Sequence, residues 1–123
     1  MIAVLASIDA HRVVVPAEQV EAIGEHRDAE RDPGRATDVA TLLGLPAPLG
    51  PRRALRVRAA SITRWLIVGD SVAIRTLPSA AFAVLPRWLD GLHARLPFAG
   101  LVAVDGAFAF ELDVERMLSG GTP

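Results

Sequence analysis

The chain has 123 residues, of which 51% are hydrophobic and 22% charged, with a net charge of −1 and no cysteine. That length fits one domain, and the apolar content excludes an intrinsically disordered chain. The near-neutral charge gives no strong field for nucleic acid or anionic membrane, and the lack of cysteine excludes disulfides, thiolate metal sites and cysteine nucleophiles.

The first strand is expected over residues 1–8, where MIAVLASI is apolar. Asp9-Ala10 then turns the chain into a valine-rich second strand, His11 to Val15. The apolar run ends at Asp9, too soon for a signal peptide or a membrane span, and no other stretch reaches spanning length. The chain therefore reads as soluble and cytoplasmic. Pro16 sets a φ suited to a first helical turn, so PAEQVEAI reads as a short helical turn or an extended exit. Residues Gly24 to Gly34 carry no aliphatic side chain larger than alanine and are densely charged, which predicts an exposed loop. TDVATLLGLP predicts one short helix, capped by Thr37 or Asp38 and stopped by Gly44 and Pro46. The PAPLGP connector that follows is the candidate boundary between two lobes.

From Ala54 the pattern returns to strand. Leu55, Val57 and Ala59 alternate with Arg56 and Arg58, the period of a half-buried strand. Ala60-Ser61 turns the chain, and Ile62–Val68 and Val72–Leu77 form a long β segment with a bend at Gly69-Asp70. Pro78 to Phe98 is punctuated by proline and anchored by Phe82, Leu85, Trp88 and Leu92. LVAV, Asp105-Gly106 and AFAFEL form a strong hairpin signal, because Asp-Gly tolerates the positive φ of a two-residue turn. Asp113 can cap a last helical turn, VERML. Several short, turn-bounded strands predict small barrels or a sandwich.

Little in the chain points to chemistry. Gly69-Asp70-Ser71 with Asp90 and His93 resembles the serine and Asp-x-x-His blocks of GDSL-type hydrolases. A serine nucleophile does need a base and an orienting carboxylate. Here, however, the pieces sit close together in a short β chain without the helices an α/β sheet requires, so a bend and a surface histidine explain them better. His11, His26 and His93 lack metal-ligand spacing, and no cofactor motif is present. Arg52, Arg53, Arg56, Arg58 and Arg64 could face nucleic-acid phosphates in a small β-barrel, but no aromatic residues interleave with them for stacking. Acidic groups on a partner protein are the better target. The residues thus describe a non-enzymatic binding or structural β module.

Three stretches together resemble the CheW-like domain of chemotaxis coupling proteins. HRVVVPAEQVEAI is similar to that family's opening strand pair and its Val-x-x-Ile exit. TDVATLLGLP resembles its Asp-Leu-x-x-Leu-Leu-Gly-Leu segment, with Asp38 in the aspartate place. From Arg53 to Leu118 come a strand, WLIVGDSVAIRTLP with Asp70 and Val72 matching a Val-Asp-x-Val core, a proline-rich bridge, the Asp-Gly hairpin and LDVERML.

The resemblance implies a mainly β fold of two small SH3-like barrel lobes with short helices. One lobe would span residues 1–46 and the other 53–118, with exchange of a terminal segment between them as an option. It implies a cytoplasmic scaffold, without enzymatic activity or cofactor, linking the cytoplasmic tip of a chemoreceptor to the regulatory domain of a CheA-type histidine kinase. The family's Asn-x-Arg-Gly strand has no counterpart here, which predicts an incomplete first lobe and puts the kinase contact in question. Arg35 is the candidate for that motif's arginine, and Leu42, Leu43, Ile74 and Leu77 are the apolar candidates for a protein-binding surface.

Overall fold

A computed structural model describes residues 1–84 and 98–118. The anchors Leu85, Trp88 and Leu92 lie outside the described residues. The fold is mainly β and is built as two sheets.

The first sheet starts from the hairpin of β1 (Ile2–Ile8) and β2 (His11–Pro16), which pair antiparallel from Ala3↔Pro16 to Ile8↔His11. Its turn works because Asp9 accepts a φ of 54°, a left-handed conformation that aspartate tolerates better than most residues. β3 (Val20–Glu25), β4 (Ala36–Asp38), β5 (Arg53–Ala59) and β6 (Ile62–Ile67) form the second sheet, in the order β3-β5-β6-β4. β7 (Val72–Thr76), β8 (Phe82–Val84), β9 (Phe98–Val104) and β10 (Ala107–Leu112) return to the first, whose order is β7-β1-β2-β10-β9-β8. The sheets therefore do not follow the two halves of the chain. The N-terminal hairpin lies beside the C-terminal one, joined through a parallel β2–β10 contact at Phe110↔Val13.

The β9–β10 hairpin forms as its Asp-Gly signal demands, with Asp105 at φ 51° and Gly106 at φ 78°. Arg75 on the β7 edge donates two 2.9 Å bonds to the carboxylate of Asp105 in the β9–β10 turn, tying that edge to the C-terminal hairpin. The second sheet stays open. Its edges, β3 and β4, are not paired with each other, and no strand lies between them in the chain. The region between β3 and Val39, expected from the sequence to lack a strand, carries one short strand, β4.

PAEQVEAI holds a short helical turn, Ala17–Gln19, followed by the extended β3, in keeping with its sequence. Two segments differ from the sequence expectation. The charged stretch expected as an open loop forms α1 (His26–Glu30) and a 3₁₀ turn, Pro33–Arg35. A capping box makes α1 possible, with the Asp28 carboxylate accepting from the Glu25 N–H at 2.8 Å while the helix buries Ala29. Ala36–Asp38, expected to lead directly into a helix, is a short strand pairing parallel to β6.

α2 (Val39–Leu42) is capped by Asp38, whose side chain accepts from the Ala40 N–H at 3.0 Å, and Gly44 ends the turn at φ 72°. α3 (Val114–Leu118) is capped in the same way by Asp113, at 3.0 Å from the Arg116 N–H.

Period-two alternation splits β1 between two cores. Val4, Ala6 and Ile8 face the second sheet and pack with Leu55, Val57, Leu66, Val39 and Val114. Ala3 and Leu5 face the other way, with Val14, Leu77, Val102 and Ala109. The larger core therefore joins both sheets.

A half-buried ion pair fastens α2 to the second sheet. Arg52 grips Asp38 with two bonds of 2.7 Å and donates Nε to the Val68 carbonyl at 3.0 Å. The Arg52 hydrogen bonds hold the Asp38 carboxyl below its ordinary range. Arg52→Ala is expected to cost about 2 kcal/mol, the scale of charge-assisted hydrogen bonds, read by urea unfolding at neutral pH. Because the folded carboxyl is the more acidic, the pair's contribution is complete above the unfolded value and fades as pH falls through the folded one. The difference between Arg52→Ala and the parent should accordingly shrink on acidification.

Candidate protein-binding site

The edges of the two sheets meet at a groove. β7 contributes Ile74, β3 contributes Val20, Glu21, Ala22 and Ile23, and Val4 with Ala17 completes the lining around a volume of about 290 Å³. Ile74 is 65% exposed and lies beside the aliphatic side chains of β3 that line the groove. Glu21 marks the rim, held by Arg56 at 3.4 Å and Arg58 at 3.3 Å. The lining is otherwise aliphatic, so the groove suits the apolar face of a protein partner better than a polar small molecule.

The predicted binding residues divide. Ile74 lies in the groove. Leu77 does not: it is only 4% exposed and belongs to the second core, so it is corrected to a packing residue. The spacing explains the difference, because positions three apart on an extended chain point to opposite faces. Leu42 and Leu43 sit at the end of α2, half-buried, with Leu43 packed against the larger core. Arg35 is exposed on the 3₁₀ turn and lines a separate, polar pocket with Arg56, Arg64 and Trp65. The structure does not bring these five residues to one surface. Sequence reading passed over Val20, Ala22 and Ile23 as site residues, although the alternation of Val20 and Ala22 with charged Glu21 was the available signal.

The other sequence candidates also find places. Gly69-Asp70-Ser71 is the crossing between the sheets: the Gly69 N–H donates to the Ser7 carbonyl at 2.7 Å, and the Ser71 N–H to the Ser7 hydroxyl at 3.1 Å. Asp90 and His93 lie outside the described residues. The arginine row is partly engaged internally, Arg52 with Asp38 and Arg56 and Arg58 with Glu21, which weakens a phosphate-tracking strand. Among the described residues no three His, Asp or Glu side chains gather to hold a metal ion, and no helix is long and apolar enough to cross a membrane.

No family model and no curated protein matches the sequence. Among solved structures, the crystal structure of the scaffolding protein TtCheW from Thermoanaerobacter tengcongensis matches with a TM-score of 0.68, over 90% of this chain and 87% of that one. The chain has a CheW-like fold. At 13% identity the likeness is one of architecture, reached with a divergent set of side chains. Within the CheW-like fold, the groove between β3 and β7 is a surface shared by both sheets; Asp70 lies in the crossing from β6 to β7, and Val72 opens β7.

Proposed function

We propose that this chain is a non-enzymatic, cytoplasmic adaptor of a bacterial chemosensory array, linking the cytoplasmic tip of a chemoreceptor to a CheA-type histidine kinase or modulating that link. The observation that carries this reading is the aliphatic groove around Ile74 on a CheW-like fold. A receptor tip, as a helical hairpin, would offer an apolar face to such a groove, and the aliphatic side chains of β3 and Ile74 would take it up. The strand that precedes α2 is only three residues long, Ala36–Asp38, and carries no Asn-x-Arg-Gly motif, so the kinase contact is the weaker of the two links.

Calorimetric titration with a receptor tip, and separately with the kinase regulatory domain from the same organism, tests the two contacts. Ile74→Glu is expected to weaken tip binding about thirtyfold, the loss typical of a central apolar contact. The melting temperature should hardly change, because Ile74 is mostly exposed in the free chain. Unaltered tip binding by a folded Ile74→Glu chain would remove the groove from the interface, and absence of binding to both partners would defeat the adaptor reading.

A further inference from the structure

β6 is longer than its outer neighbour. β4 pairs only with Trp65, Leu66 and Ile67, so, among the described residues, 62–64 have β5 on one side and no strand on the other. At this free edge lies a polar pocket of about 110 Å³, lined by Asp32, Arg35, Arg56, Thr63, Arg64 and Trp65. It is well below the roughly 300 Å³ at which pockets for small organic ligands begin, and it suits a single side-chain carboxylate.

The pocket carries unspent positive charge. Arg56 shares Glu21 with Arg58. Among the described residues, no carboxylate lies within ion-pair distance of Arg35 or Arg64. Among the described residues, the one hydrogen bond from Arg64 is a long one, 3.3 Å from Nη1 to the Thr37 hydroxyl, and its buried Nε meets no acceptor. A cation held in place with so little compensation gains from any oxyanion brought beside it. Asp32 lines the same pocket, which favours a singly charged carboxylate over a doubly charged phosphate.

We infer that this pocket, together with the free edge of β6, docks an acidic, extended segment of a protein partner. The backbone of the segment adds to the unpaired edge, and a carboxylate enters between Arg35 and Arg64. This rests on the reading of the chain as a protein-binding module, but it concerns a different face from the Ile74 groove. Failure of a short peptide here would leave that groove untouched.

The test follows ¹H–¹⁵N spectra of the whole chain, with the Trp65 indole and arginine Nε signals assigned by Trp65→Phe and single arginine variants. The probes are a capped octapeptide alternating valine and glutamate, its glutamine counterpart, and sodium phosphate. The glutamate peptide should shift the Trp65 and Arg64 signals saturably, and salt should weaken it. Arg35→Gln and Arg64→Gln should each reduce its affinity about tenfold. Arg35 is exposed, so its variant keeps the test sound even if Arg64→Gln disturbs the sheet. Equal binding of the glutamine peptide, no shift with the glutamate peptide, or phosphate binding as tightly as that peptide would each overturn the inference.

Discussion

Gly69→Ala is expected to lower the unfolding free energy by about 3 kcal/mol, at the upper end of what overpacking normally costs. A Cβ at this position would lie 2.5 Å from the Ser7 carbonyl oxygen and 3.1 Å from its hydroxyl. Neither neighbour can retreat freely. The Ser7 carbonyl accepts the Gly69 N–H at 2.7 Å, and the Ser7 N–H donates to the Ser71 carbonyl at 2.9 Å. On the other side, the Gly69 carbonyl accepts from the Arg53 N–H at 3.1 Å, the first contact of the second sheet. Relief of the clash must therefore stretch bonds that tie β1 to the crossing between the sheets. Gly34 supplies the control, because a Cβ there meets nothing within 4 Å, so Gly34→Ala should leave stability nearly unchanged. Urea unfolding of both variants checks the pair. A loss below about 1 kcal/mol for Gly69→Ala would mean that the crossing relaxes easily and that the sheets are not rigidly joined there.

The same crossing shows what could be read in advance. The bend at Gly69-Asp70 was legible because a glycine interrupts an otherwise continuous aliphatic run. The hairpins were legible because Asp9-Ala10, Ala60-Ser61 and Asp105-Gly106 separate alternating segments, and the first residue of two of these turns and both residues of the third adopt positive φ. The order of such pieces also carried the resemblance to the CheW-like domain. What stayed hidden depended on distant partners. β4 is three residues long and exists because β6 is beside it. The charged stretch before it has no aliphatic residue larger than alanine, and its helix forms through a reciprocal cap and one buried methyl group, contacts too slight for a hydrophobic pattern to signal. The parallel β2–β10 contact links segments from opposite ends of the chain, which no local pattern encodes.

The candidate site followed the same division. Ile74 and Leu77 are both aliphatic, close in sequence and on one strand run, so composition alone could not separate them. Strand parity separates them, since Ile74 shares the face of Val4 and Val72 while Leu77 turns to the opposite core. Whether Ile74 is then covered depends on how far the second sheet reaches. β3 is an edge strand with a bulge between Val20 and Ala22, and it stops short of closing over β7. The groove is thus a consequence of the architecture rather than of any motif.

Leu66→Ala tests whether the two sheets form one folding unit. Leu66 is fully buried on β6, opposite Leu55, in the core that also holds Val4, Ile8 and Val13 of the first sheet. Truncation removes three methyl-scale groups and leaves a space that the two rigid sheets cannot close, at an expected cost of about 3 kcal/mol. Because the larger core draws side chains from both sheets, that loss should appear throughout the molecule. Native-state hydrogen exchange should show protection in β1 and β2 falling as much as in β5. Ile62→Ala, on the same strand but exposed, should change either sheet by less than about 0.5 kcal/mol. If protection fell only in β5 and its neighbours, the first sheet would be stable without the second. The groove between β3 and β7 would then join two independently folding halves, and its width could vary as one half opens. Equal loss in both sheets would instead fix the groove as a rigid feature of a single cooperative unit, presented to a partner without an ordering cost of its own.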